Sequence, residues 1–149
     1  MTDEYYMKKA LEQAKLAYHL DDVPIGCVIV YNDEIIGRGF NRRNNMKNVL
    51  MHAEISAINE ACIKMNDWRL EDCTLYVTVE PCPMCAGAIV QSRIKKVIYG
   101  TSNKKAGFCG SVMNIMQLDG LNHKVEVEKG LLEAECGELM KNFFAKRRI

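Results

Sequence analysis

This chain lacks a long apolar run, a repeat or linker, and a strong net charge. Each absence removes a class. No segment is apolar enough for long enough to span a bilayer, which argues against a membrane partner. The stretch from Met1 to Leu20 carries Asp3, Glu4, Lys8, Lys9, Glu12 and Lys15, so it cannot supply a signal peptide's apolar region. A cytoplasmic protein is expected. No composition shift divides the 149 residues, which fit one domain spanning 1–149 with a core of its own. The net charge of +1 gives the molecule no overall pull on nucleic acid. Its basic residues are nonetheless grouped. Arg42, Arg43 and Lys47 form one group, and Lys141, Lys146, Arg147 and Arg148 form another around Phe143 and Phe144. Charge runs of this kind are as readily a solvated face as a binding surface.

Cysteine is what the chain has in excess. Seven is an odd number, and without a secretion signal a disulfide framework is not expected. Cys27, Cys62, Cys73, Cys109 and Cys136 sit among apolar neighbours and read as small core residues. Cys82 and Cys85 differ because their spacing is that of a ligand pair.

Hydrophobic periodicity outlines an α/β domain. Thr2 is a helix cap followed by two acids, and Met7, Leu11, Ala14 and Tyr18 recur at helical spacing up to about Leu20. Residues Ile25 to Tyr31 and Ile35 to Phe40 read as a hairpin turning at Asn32-Asp33. A helix opens at His52, with Ile55, Ile58, Ala61 and Ile63 expected to face the sheet. Strands are expected at Leu75 to Val79, Lys96 to Tyr99 and Val125 to Glu128. Helices are expected from Pro83, around Ser111 to Met116, and from Leu131 to Lys146. Strand, helix and strand in succession between Leu75 and Tyr99 imply a parallel crossover. The expected fold is a three-layer α/β/α domain with a mixed five-stranded sheet.

His52-Ala53-Glu54 and Pro81-Cys82-Pro83-Met84-Cys85 carry the chemistry. Cys82 and Cys85, three apart in the first turn of a helix, point to one side, and the positive helix terminus favours thiolates. His52, Cys82 and Cys85 make three zinc ligands, which leaves a tetrahedral ion one position for water. Glu54 lies two residues from His52, roughly 200° around a regular helix. It is therefore better suited to carrying protons beside the ion than to binding it. A thioredoxin-like Cys-x-x-Cys pair would leave His52 and Glu54 without a role. A structural zinc would need a fourth ligand such as Cys73 or Cys109.

His-x-Glu followed by Pro-Cys-x-x-Cys resembles the zinc-dependent nucleobase deaminases. Several segments narrow the resemblance to the bacterial tRNA adenosine deaminases: Val23-Pro24-Ile25-Gly26, Gly39-Phe40-Asn41-Arg42, Tyr76 to Cys82, Gly110 to Asn114, and Phe143 to Arg148. The similarity runs from about residue 3 to the end. It implies a cytidine-deaminase-like fold, a homodimer and one Zn²⁺ per subunit. It also implies hydrolytic conversion of adenosine to inosine at the wobble position, position 34, of an arginine tRNA anticodon loop. On that resemblance Glu54 carries protons to the ring and the leaving amine, and Asn41 and the Ala53 N–H meet the flipped nucleotide. Asn122 and Phe144, with the basic tail, would touch the RNA. The competing readings are a deaminase of free guanine, adenosine or cytidine, and a non-catalytic zinc or tRNA module.

Two positions depart from the family pattern. Val49-Leu50-Met51 replaces a common Pro-Thr-Ala run before the histidine, and Asn103 stands where aspartate is common. Removing an acid from a substrate-facing loop lowers repulsion of a nucleic-acid backbone. Asn103→Asp is therefore expected to sharpen the preference for RNA over DNA strands. Equal selectivity of the two proteins in a competition assay would refute this.

Overall fold

In the computed structural model, which describes residues 1–147, helix α1 (Asp3–His19) begins where the Thr2 hydroxyl accepts from the Tyr5 N–H at 3.1 Å. The chain then forms the hairpin β1 (Gly26–Tyr31) and β2 (Glu34–Phe40). Asn32 and Asp33 both take positive φ, 48° and 62°, as a tight primed turn requires. A four-residue turn of helix, α2 (Arg43–Met46), leads to α3 (Ala53–Met65). Next come β3 (Thr74–Val79), α4 (Pro83–Gln91), β4 (Lys96–Thr101), β5 (Glu126–Lys129) and α5 (Glu133–Lys146).

The five strands form one mixed sheet in the order β2-β1-β3-β4-β5. β1 pairs antiparallel with β2 and β3, while β3–β4 and β4–β5 are parallel. Alternation of side chains along the strands makes the three layers. Cys27, Ile29, Leu75, Val77, Val97 and Tyr99 face one way, into a core shared with α3 and α4. Val28, Val30, Tyr76 and Ile98 face the other way, against α1 and Cys136 of α5. Cys27, Cys73, Cys109 and Cys136 are buried as free thiols, and Cys62 is half-buried.

Two expectations fail here. Ile63 does not face the sheet; it is 72% exposed, and the buried residues of α3 are Ala53, Ala57 and Ala61 against the sheet together with Glu54. Ile63 stands two residues beyond Ala61, roughly 200° around the helix, so the two cannot face the sheet together. Glycine on the strand opposite sets how close the buried face comes. A Cβ on Gly39 would stand 2.1 Å from the Ala53 carbonyl oxygen, and one on Gly37 would stand 2.3 Å from that of Ala57. The helix lies so close to β2 that only alanine fits between them. Gly39→Ala must therefore push α3 outward, and is expected to destabilise the fold by roughly 2 kcal/mol or more in denaturant titration. Unaltered stability would mean that this approach is looser than described.

The second failure is the helix expected at Ser111 to Met116. That segment holds an isolated bridge between Cys109 and Asn114, followed by a single 3₁₀ turn, Ile115–Gln117. The Ser111 N–H and hydroxyl both donate to the buried Glu80 carboxylate, which draws the chain across the end of β3 and prevents coiling.

Candidate metal centre and substrate cleft

Parallel β3 ends at Val79, and the chain then passes Glu80 and Pro81 to reach α4. Cys82 is the extended residue that caps α4 (φ −76°, ψ 175°), Pro83 is its first helical residue, and Cys85 lies in its first turn. Cys82 thus precedes the helix, whereas the spacing placed it inside the first turn. His52 caps α3 in the same way (φ −83°, ψ 154°). Two helix N-termini converge, and their positive ends favour anionic sulfur.

The His52 Nδ1 atom lies 3.5 Å from Cys82 Sγ and 3.5 Å from Cys85 Sγ. Zinc–sulfur and zinc–nitrogen bonds of standard length, at a tetrahedral angle, span roughly 3.5 Å from N to S. The three side chains therefore fit a zinc ion without rearrangement. Among the described residues, no fourth His, Cys, Asp or Glu joins this cluster, so neither Cys73 nor Cys109 closes it. Hydrogen bonds from Cys85 and His52 push the Cys82 thiol down to about 4, and Cys85 moves in the opposite direction. The pair thus holds one negative charge ready for a cation.

Glu54 follows in the first turn of α3, only 4% exposed, and burial pushes its carboxyl up to about 7. A carboxyl titrating near neutrality can both take and return a proton. Glu54, His52 and Cys82 open into a cleft of about 720 Å³, a volume suited to a nucleoside-sized ligand.

Asn41, Ala53 and Phe144 line the same cleft. Asn122 does not; it stands exposed on the loop before β5. The basic groups divide similarly. Arg43, Lys104, Lys105 and Lys141 border the cleft, whereas Arg147 pairs with Asp21 at 2.6 Å and stacks on Phe143. Arg148, counted above in the basic tail, lies outside the described residues. Asn103 borders the cleft with its side chain turned inward, its Oδ1 accepting from the Ala106 N–H at 3.2 Å.

Two buried acids that organise the cleft went unassigned in the sequence. Glu80 accepts from the N–H groups of Asn103, Cys109 and Ser111, tying down the wall formed by residues 102–106. Asp22 does the same for the opposite wall, through Asn41, Asn44 and Asn45. Glu80 had one visible signal, an acid between an apolar strand and a ligand-bearing proline turn. Asp22 had none beyond its place in a helix-ending loop.

Comparison with known proteins agrees with this geometry. Residues 1–148 match the family model of the MafB19-like deaminases. The chain is 49% identical over 146 residues to a tRNA-specific adenosine deaminase of Bacillus subtilis (strain 168), covering 98% of this chain and 91% of that protein. It is 47% identical over 148 residues to a tRNA-specific adenosine deaminase of Aquifex aeolicus (strain VF5), covering 99% and 97%. A solved structure from a study of A-to-I editing by tRNA:A34 deaminases at the wobble position of transfer RNA superimposes with a TM-score of 0.87 at 38% identity, covering 91% of this chain and 98% of that one. Guanine deaminase from Nitrosomonas europaea shares the fold, with a TM-score of 0.83 at 23% identity over 97% of this chain and 85% of that one.

Proposed function

Because this chain belongs to the tRNA-specific adenosine deaminases within the MafB19-like deaminase family, we propose that it deaminates adenosine to inosine at the wobble position, position 34, of a tRNA anticodon loop. One observation carries the reading. His52 and Cys82 of the three-residue cluster and the buried acid Glu54 open into the same cleft that Phe144, Lys105 and Lys141 border. A pocket for chemistry on a base and a surface for stacking and phosphate contact are thus continuous.

His52, Cys82 and Cys85 would hold one zinc ion, which when bound supplies the Lewis acidity that activates water. The chain's own groups do the rest. Glu54 removes a proton from the attacking water and delivers it to N1 of the adenine ring; it then takes the remaining proton of the new hydroxyl at C6 and passes it to the amine, so that the C6–N bond breaks and inosine and ammonia leave. Burial holds it near the pKa that serves both directions. The Ala53 N–H, at the positive start of α3, faces the base. Phe144, 42% exposed at the cleft mouth, offers a stacking platform for a neighbouring base. An anticodon loop is already single-stranded, so drawing one base into the cleft costs little.

The finer expectations stay with this proposal: an arginine tRNA as substrate, a contact from Asn122 and the basic tail, a cytoplasmic location and a homodimer. Exposed apolar side chains such as Leu50 and Met113 are the kind of surface a second copy would cover. Among the described residues no helix is long and apolar enough to cross a membrane.

Anticodon stem-loops carrying A, C or G at the wobble position test the proposal. Mass analysis is expected to find inosine from the A loop alone. Turnover of free guanine or cytidine, with the A loop untouched, would replace this reading with a small-molecule one.

A further inference from the structure

The cleft wall that follows β4 is irregular, yet it carries the exposed Lys104 and Lys105. Both lysines sit on a tight turn at 103–107. The Gly107 N–H donates to the Asn103 carbonyl at 2.7 Å, and the Ala106 N–H donates to Asn103 Oδ1 at 3.2 Å. Among the described residues neither lysine is in a salt bridge. A single side chain fixes this turn. Among the described residues, the backbone N–H groups of 103–114 that bond outside the segment are those of Asn103, Phe108, Cys109 and Ser111. Three of the four end on the Glu80 carboxylate, and the Phe108 N–H ends on the neighbouring Pro81 carbonyl. Glu80 is 2% exposed. Its Oε1 accepts from the Asn103 N–H at 3.1 Å and from the Ser111 hydroxyl, and its Oε2 accepts from the Cys109 and Ser111 N–H groups at 3.0 Å each. Gly107 leaves the space, since a Cβ there would overlap the Glu80 carboxyl group. Cys82 follows two residues later, so the metal turn and the basic wall share one anchor.

We propose that Glu80 is a positioning residue for binding of the RNA strand: by anchoring the 103–107 turn just ahead of Cys82, it holds Lys104 and Lys105 where they meet phosphates beside a base that has entered the cleft. The inference rests on the RNA reading above. The reacting groups are placed by other elements, His52 and Glu54 by α3 and Cys85 by α4. Loss of the anchor therefore weakens binding of the strand and spares the chemical step. Glutamine at this position would split the anchor in two. Its NH₂ cannot take the place of Oε2, where two backbone N–H groups point at it. It must take the place of Oε1, where the Ser111 hydroxyl can turn and accept but the Asn103 N–H meets a second donor. The half of the anchor at Cys109 and Ser111 stays, and the lysine turn is released at Asn103.

The test measures binding of an inosine-bearing anticodon stem-loop, the inert product, by fluorescence anisotropy over a range of salt concentrations. Zinc content, and kcat and KM on the adenosine loop, are measured beside it. Glu80→Gln is expected to raise KM and the product Kd about 10-fold, with kcat and zinc near wild type. The slope of log Kd against log salt should fall by roughly 0.7–1.4, about 0.7 for each lysine lost from a phosphate of a single strand. A general weakening of the fold would lower affinity without moving that slope. Gly107→Ala, whose methyl displaces the same carboxylate, should reproduce both changes, and the two substitutions together should add little to either one. If Glu80→Gln does not fold, Gly107→Ala decides by the same readings. An unchanged salt slope in the deciding variant, or a loss of zinc and kcat with KM unaltered, overturns the inference while leaving deamination intact. Absence of inosine from the adenosine loop with wild-type protein would instead overturn the functional reading and this inference with it.

Discussion

Glu54→Gln is expected to lower kcat by about 10²–10⁴-fold while leaving the fold and the metal content of the protein unchanged. Glutamine keeps the shape and a hydrogen-bonding end but can neither take nor deliver a proton. The side chain is buried, and its carboxyl titrates at about 7 because burial disfavours the charged form. Removing that ionisation removes an unfavourable burial, so the variant should melt at or above the wild-type temperature. A stability gain paired with a rate loss is the signature of a catalytic acid–base group. Activity within tenfold of wild type would take the proton-carrier role away from Glu54. A large fall in melting temperature would point to a structural role for it.

Cys82→Ala is expected to have the second large effect, reducing bound zinc from stoichiometric to near zero and abolishing turnover. Of the three proposed ligands, Cys82 has the thiol pushed lowest, to about 4, so it offers the cluster a ready negative charge. Two remaining ligands cannot close a tetrahedral site with one position left for water. Because a ligand that binds the folded state raises its stability, wild type should lose several degrees of melting temperature in strong chelator. The variant, having no ion to lose, should be indifferent to chelator. Elemental analysis showing full zinc in Cys82→Ala would remove Cys82 from the ligand set.

Local chemistry made much of this molecule legible in its sequence. Thr2 caps α1 through a bond to Tyr5, and Asn32-Asp33 turns the first hairpin, because those side chains and backbone preferences act within three or four residues. Pro83 announced the start of α4 for the same reason, its fixed φ suiting the first helical position. One error arose where a distant partner decides. The Ser111 segment stays uncoiled because Glu80, 31 residues earlier, captures its donors.

The sequence by itself determined the reaction class. A histidine, two cysteines three apart and a glutamate two beyond the histidine offer a set that can hold a metal and carry protons, since ligand and acid–base character belong to the side chains. Tertiary structure alone decided how these groups are tuned. It set the 3.5 Å spacings, the rise of the Glu54 carboxyl and the anchoring of the cleft wall on Glu80. Each depends on burial or on partners contributed by other elements, so it exists only once the sheet has brought both helix starts to the same edge.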